Sequence, residues 1–270
     1  MTSPRFIEAC RFAALKHAKQ RRQAVNRTVI PYVTHPLEAA LILAECGVSD
    51  DDVLIAAVLH DTLEDTDSKD DDLRSKFGDR VLTIVKEVTD DPSMDRAAQK
   101  RAQVSNGPHK SYAAKLVKTA DKTSNMRDIV RCPPGWSPEK VKAYAEHARE
   151  VVAAMNSKGE LPPQLTAMFW QASQEILDSV EELEFRTAQA LDMFKPGMLV
   201  KLRGSYPCMS WDSEEHNTIE RKITTAEIGL VIKCVGRTDL LTGHDLSREF
   251  LVLFGEKIEL VLSGYLERLV

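Results

Sequence analysis

Ala56-Ala57-Val58-Leu59-His60-Asp61-Thr62-Leu63-Glu64-Asp65-Thr66 decides the reading of this chain. It continues from Asp50 a helix carrying Val53, Leu54, Ala56, Ala57, Val58 and Leu59, too apolar all round for a surface position. Ser49 suits the N-cap, with Asp52 three residues on as a capping-box partner. Read as a helix from Asp50 to about Leu63, it places His60 and Glu64 on one ridge and Asp61 and Asp65 on the next. Four side chains able to hold a metal or move protons then face one way. Carboxylates at the negative end of a helix dipole, close to a core, are costly unless a cation meets them. Imidazole with carboxylate suits Mn²⁺ or Fe²⁺, and also Zn²⁺. The lack of cysteine among these residues favours a catalytic site over a closed structural one. His35 and Asp121 are further candidates, but spacing alone does not bring them to this cluster.

Around this stretch the apolar spacing stays helical from Arg5 to about Met193. Phe6, Cys10, Ala13, Ala14 and His17 form one stripe, and Leu37, Ala40, Leu41 and Ala44 another that Gly47 ends. Further helices are predicted over 71–76, 79–88, 95–104, 111–130, 138–155 and 163–193. Asp90-Asp91-Pro92, Asn106-Gly107-Pro108, Pro133-Pro134-Gly135 and Lys158-Gly159 mark loops. At Lys195-Pro196-Gly197 the pattern changes to alternation with period two, in four or five short strands. The predicted fold is mainly α over 1–193, followed by a small SH3-like β-barrel over 195–270.

The composition excludes several classes. Of 270 residues, 43% are hydrophobic and 29% charged, so the chain is not disordered throughout. A net charge of -5 argues against a general nucleic-acid coat. No apolar run approaches a bilayer span, and the N-terminus lacks the stretch of a signal peptide. The cysteines, Cys10, Cys46, Cys132, Cys208 and Cys234, are scattered without a CxxC. A reduced cytoplasmic setting is expected.

Tyr32-Val33-Thr34-His35-Pro36, the His60-Asp61 stretch, Phe77-Gly78, Val85 through Asp91, and Lys118-Thr119-Ala120-Asp121 with Asn125-Met126-Arg127-Asp128 occur in that order. Together they resemble the hydrolase domain of the RelA/SpoT alarmone enzymes, within the HD-type metal phosphohydrolases. Glu87 through Asp91, Lys100-Arg101, Arg131-Cys132 and Gly135-Trp136-Ser137 resemble most closely the stand-alone alarmone hydrolases of the metazoan SpoT-homologue type. The resemblance covers roughly residues 5–160 and implies an HD-domain helical bundle. It implies one Mn²⁺ held by His35, His60, Asp61 and Asp121, with Glu64 and Asp65 handling the attacking water. It also implies substrate contacts at Arg22, Asn125 and Tyr144. Gln23 stands where the family usually has a basic residue, and Thr119 and Thr123-Ser124 replace larger family residues.

Residues 1–35 hold Arg5, Lys16, Lys19, Arg21, Arg22 and Arg27 against Glu8 alone. This basic island suits a polyphosphate, with Arg21 and Arg22 as the expected contacts. Lys16 and Lys19 read equally well as a solvated face. His17, His109 and His147 read as surface or packing residues, and Trp136 and Trp170 as core. Trp211 and His216 read as loop residues.

Three functional readings remain open. The first is removal of the 3′-diphosphate of (p)ppGpp. The second uses the same site on an adenosine alarmone or on the 2′-phosphate of NADPH. The third is a non-catalytic nucleotide sensor. The expected partner is a small nucleotide polyphosphate, without nucleic acid or membrane. The C-terminal module is expected to serve dimerisation or docking.

Overall fold

The structure, a computed structural model, describes residues 3–23, 29–131, 134 and 136–193, and beyond them the strands of the C-terminal segment. Side chains are described through residue 181, except that of Gln23. Arg27, Cys132, Pro133, Gly135, Lys195-Pro196-Gly197 and His216 lie outside the described residues, as do the side chains of Cys208, Trp211 and Cys234. The chain divides into two compact units, 1–178 and 179–270. The boundary falls inside the last helix, upstream of the proline-glycine break.

The first unit is helical. Helix α1 (Pro4–Lys16) starts at Ser3, whose hydroxyl accepts from Arg5 N at 3.2 Å. A short antiparallel hairpin follows, β1 (Arg21–Gln23) with β2 (Val29–Pro31), where Arg22 pairs with Ile30. This hairpin interrupts the expected run of helices; three-residue strands are too short to show period two in sequence. Helix α2 (Thr34–Glu45) ends as expected at Gly47, whose φ of 82° suits glycine.

Helix α3 (Asp51–Leu59) is central. Val53, Ile55, Ala56, Ala57, Val58 and Leu59 are all buried, because α1, α2 and two later helices, α6 (Asp79–Val88) and α8 (Tyr112–Arg131), surround it. Its N-cap is Asp50, not Ser49: the Asp50 carboxylate accepts from Asp52 N at 3.1 Å. A charged cap also gains from the helix dipole. The predicted helix to Leu63 is broken. His60 and Asp61 form a turn between α3 and a one-turn helix, α4 (Thr62–Asp65). Side chains compete for the ladder there: His60 Nδ1 donates to Ala57 O at 2.8 Å, and Thr62 Oγ1 to Leu59 O at 2.7 Å.

Helices α5 (Asp70–Phe77), α6 (Asp79–Val88) and α7 (Arg96–Asn106) follow, then a 3₁₀ turn (Gly107–His109). Helix α8 (Tyr112–Arg131) buries polar side chains as well as apolar ones, among them Lys118, Thr119, Asp121, Lys122, Thr123 and Ser124. Thr119 and Thr123 satisfy their hydroxyls on the carbonyls four residues back, each at 2.8 Å. Helices α9 (Pro138–Met155) and α10 (Pro163–Met193) complete the helical segment. Phe169 is core there, whereas Trp136 and Trp170 are half-buried. No helix among the described residues is long and apolar enough to cross a membrane.

The described residues of the C-terminal segment contribute seven strands, more than the alternation predicts: β3 (Leu199–Leu202), β4 (Tyr206–Trp211), β5 (Thr218–Ile223), β6 (Ile228–Val235), β7 (Glu249–Phe254), β8 (Lys257–Leu262) and β9 (Leu266–Arg268). They form one antiparallel sheet in the order β5-β4-β8-β7-β6-β3-β9.

Candidate active site

Three separate parts of the helical unit converge on one point. His35 comes from the first turn of α2, His60 and Asp61 from the α3–α4 turn, and Asp121 from the middle of α8. Ligand atoms of His35, His60 and Asp121 lie within 4.8 Å of one another, and all three residues are buried. Asp121 Oδ1 is 3.2 Å from His35 Nε2 and 3.6 Å from His60 Nε2. Asp61 Oδ2 is 3.1 Å from His60 Nε2 and 3.6 Å from His35 Nε2. The structure thus brings together all four residues expected to hold a metal.

The carbonyl of Ala57 can only accept, so His60 carries a proton on Nδ1. His35 Nδ1 is 2.9 Å from Ser124 Oγ, and Ser124 reaches Glu38 Oε2 at 3.2 Å. Glu38 in turn accepts from Arg131 at 2.8 Å. Ser124 directs its single proton to the carboxylate, so it accepts from His35. In their neutral forms both rings therefore point Nε2 lone pairs at Asp61 and Asp121. His60 Nε2 is buried and has no aligned hydrogen-bond partner among the described residues. Lone pairs facing carboxylates in a buried site leave a deficit of positive charge. This donor set fits a divalent cation, with outer partners that fix each ring as metal sites require. Without a cation the deficit appears as proton affinity. Burial pushes His60 down, but Asp61 and Asp121 outweigh it and raise it to about 10. Burial dominates at His35 and lowers it.

The two carboxylates expected to handle water sit at the solvent edge, on different sides. Glu64 Oε2 accepts from Asp90 N at 3.3 Å. Asp65 Oδ2 lies 3.2 Å from the Tyr32 hydroxyl, which donates to Asp61 at 2.7 Å. Both belong to α4, where consecutive side chains diverge, and the break before it interrupts the continuous helix expected to carry the His60/Glu64 and Asp61/Asp65 ridges. Partial burial raises both carboxyls, and the Asp61 charge adds to the effect at Asp65.

Among the expected substrate contacts, Arg22 reaches the site. Its guanidinium donates to Asp128 at 2.6 Å and to Asn125 Oδ1 at 2.8 Å, over the ring of Tyr32. Asn125 passes this on, donating through Nδ2 to Asp121 Oδ1 at 2.6 Å. Arg21 is not brought in: its guanidinium donates to the Ala18 and Gln20 carbonyls. Lys16 pairs with Asp67, consistent with a solvated face. Tyr144 is half-buried between Trp136 and Lys122. A cavity lined by Cys46, Asp50, Arg80 and Tyr112 contains none of these residues.

Sequence reasoning gave no role to several neighbours. Tyr32 bridges Asp61 and Asp65. His17 is buried, the packing alternative of the two expected for it, with its ring 5.0 Å from that of Tyr32. Gln20 bonds His17 Nδ1 and donates to Asp65 O at 2.6 Å. Lys118 pairs with Asp121 Oδ2 at 3.2 Å. Position could have marked two of them, Tyr32 beside His35 and a lysine one turn before Asp121; His17 and Gln20 carry no such signal.

Comparison with known proteins agrees with this geometry. An HD-domain family model matches residues 9–159. A Xenopus tropicalis protein named guanosine-3′,5′-bis(diphosphate) 3′-pyrophosphohydrolase MESH1 is 46% identical over 157 residues, covering 57% of this chain and 87% of that one. The human protein of the same name is 48% identical over 151 residues, covering 55% and 83%. A solved structure, described as a metazoan ortholog of SpoT that hydrolyses ppGpp and plays a role in starvation responses, superposes with a TM-score of 0.60. It is 36% identical and covers 65% of this chain and 97% of its own. With the His/Asp group in place and the family model spanning more than half its length, the chain belongs to the HD-domain family.

Proposed function

We propose that the protein is a metal-dependent pyrophosphohydrolase. It removes the 3′-diphosphate of (p)ppGpp or a related alarmone, giving GDP or GTP and pyrophosphate. The observation that carries the reading is the buried His35/His60/Asp121 group with Asp61 beside it, flanked on two sides by Glu64 and Asp65. The activity named for the relatives supports the substrate class.

One Mn²⁺ per chain, held by His35, His60, Asp61 and Asp121, would lower the pKa of a bound water and neutralise phosphoryl charge. The chain's own residues do the rest. Ser124 and Ala57 O fix the imidazole rings. Tyr32 and Asn125 orient Asp61 and Asp121. Glu64 and Asp65 stand on either side of the pocket, where one accepts the proton of the nucleophile and the other directs the water. Arg22 supplies fixed positive charge for phosphate oxygens. Two proton-handling carboxylates have no use in a protein that only senses nucleotides, which supports catalysis over that reading.

We assign the chemistry to residues 1–193, in the cytoplasm. Residues 195–270 form a small barrel, SH3-like in size, for dimerisation or protein docking. The deciding experiment incubates purified protein with Mn²⁺ and ppGpp, ppApp, NADPH or simple nucleotides, and separates products by anion exchange. Release of pyrophosphate from ppGpp is the expected result. Turnover of only ppApp or NADPH would transfer the site to that substrate, and no turnover of any would refute the proposal.

A further inference from the structure

Helix α8 buries three lysines, and two of them have an anion. Lys115 pairs with Glu160 at 2.9 Å, and Lys118 with Asp121 at 3.2 Å. Lys122, only 7% exposed, has none among the described residues. Its Nζ makes one long hydrogen bond, 3.4 Å to Gln103 Oε1, and lies 5.8 Å from the centre of the Tyr144 ring. Gln103 cannot turn to serve it better. Its Nε2 donates to Asp90 at 2.6 Å, and its Oε1 also takes His147 Nε2 at 3.2 Å. The Tyr144 hydroxyl has no hydrogen bond among the described residues. An ammonium removed from water with one neutral, shared acceptor is costly to keep. Lys122 directly follows Asp121 on α8, and the Asp90 that holds Gln103 also donates its N–H to Glu64 at 3.3 Å, so the unmet charge lies close to the candidate site.

We propose that Lys122, with the Tyr144 hydroxyl and framed by Gln103, forms a phosphate-binding subsite beside the His35/His60/Asp121 group. The inference rests on the reading of the protein as a nucleotide-polyphosphate hydrolase and adds a residue to which no role was assigned. An anionic oxygen there would supply the missing partner of Lys122 and an acceptor for Tyr144. Either end of a nucleoside bis(diphosphate) carries that chemistry.

The test uses full-length, Mn²⁺-loaded protein and pyrophosphate as the probe, with metal content matched across variants. Calorimetry should show Lys122→Met weakening pyrophosphate binding by about tenfold or more, the scale of one charge-assisted hydrogen bond. Lys122→Arg should stay within a few-fold of wild type. The thermal midpoint of Lys122→Met should hold or rise, because an unpaired buried charge has been removed. Kinetics then locate the phosphate. A raised KM for ppGpp but not for guanosine 3′-diphosphate places the 5′ end at Lys122; a raised KM for both places the cleaved end there. Unchanged pyrophosphate affinity in Lys122→Met overturns the proposal. So does a Lys122→Met or Lys122→Gln protein that cannot fold, since the ammonium would then be structural. Pyrophosphate binding needs no turnover, so an inactive wild type that still binds through Lys122 sinks only the proposed reaction.

Discussion

Tyr32→Phe removes one oxygen and leaves the ring, so it isolates the bridge between Asp61 and Asp65. The ring's packing on His17 at 5.0 Å, under Arg22 at 5.2 Å and against His35 at 5.9 Å is retained. What is lost is a donor 2.7 Å from Asp61 and 3.2 Å from Asp65. A hydrogen bond to a charged group is worth about 1.5–3 kcal/mol. Outer partners of metal ligands typically contribute about 10–100-fold in affinity or activity. Asp61 is the nearer partner, so Mn²⁺ affinity should fall by about tenfold. At saturating Mn²⁺ a further loss in kcat of about tenfold should remain from the released Asp65, with KM little changed. The assay is a Mn²⁺ titration of initial rates, repeated in an Asp65→Asn background. There the residual kcat effect of Tyr32→Phe should vanish, because the residue it acts through has been neutralised. A variant within twofold of wild type in both Mn²⁺ affinity and kcat would refute the reasoning. So would a kcat loss of equal size with and without Asp65.

Replacing His60 or Asp121 with alanine should abolish both metal uptake and hydrolysis, read by metal analysis of the purified protein; full Mn²⁺ occupancy in both would remove the assigned ligands. Glu64→Ala and Asp65→Ala should keep the metal and lose about 10²–10⁴ in kcat, and loss of the metal in both would make them ligands instead. Arg22→Ala should raise KM more than it lowers kcat, with a salt-dependent wild-type KM, since part-exposed charge is screened; a KM flat across a salt titration and unchanged in the variant would exclude it from the site.

Much of this was legible because periodicity reports burial. The all-round apolar run 53–59 announced a central helix, and Gly47 its predecessor's end. The break at His60-Asp61 was not legible, since no glycine or proline marks it. It arises from side chains bonding back to the α3 carbonyls, a choice propensity does not encode. The hairpin at Arg22 is too short for a pattern. Of the site, the motif residues identified themselves, but no spacing could place His35 against Asp121. The shell around them was hidden for a different reason. Ser124, read as a departure from the family, became a partner of His35 only when α2 and α8 packed together. Arg21 and Arg22 are neighbours of one chemistry, and only the strand's alternation sends one inward and the other onto the end of α1.

The candidate ligands come from α2, the α3–α4 turn and α8, segments far apart in the chain. A cation held there would act as a cross-link, closing long loops much as a disulfide does. Its binding free energy would belong partly to the fold: at a free concentration about 100 times Kd it adds about 2.7 kcal/mol. Chelation would then do more than remove a reagent. It would leave a protonated His60 as the replacement charge between Asp61 and Asp121, a weaker tie than a cation, and the amides of the α3–α4 turn and of mid-α8 would lose protection from exchange with solvent. Metal supply would set the lifetime of the folded protein as well as its rate.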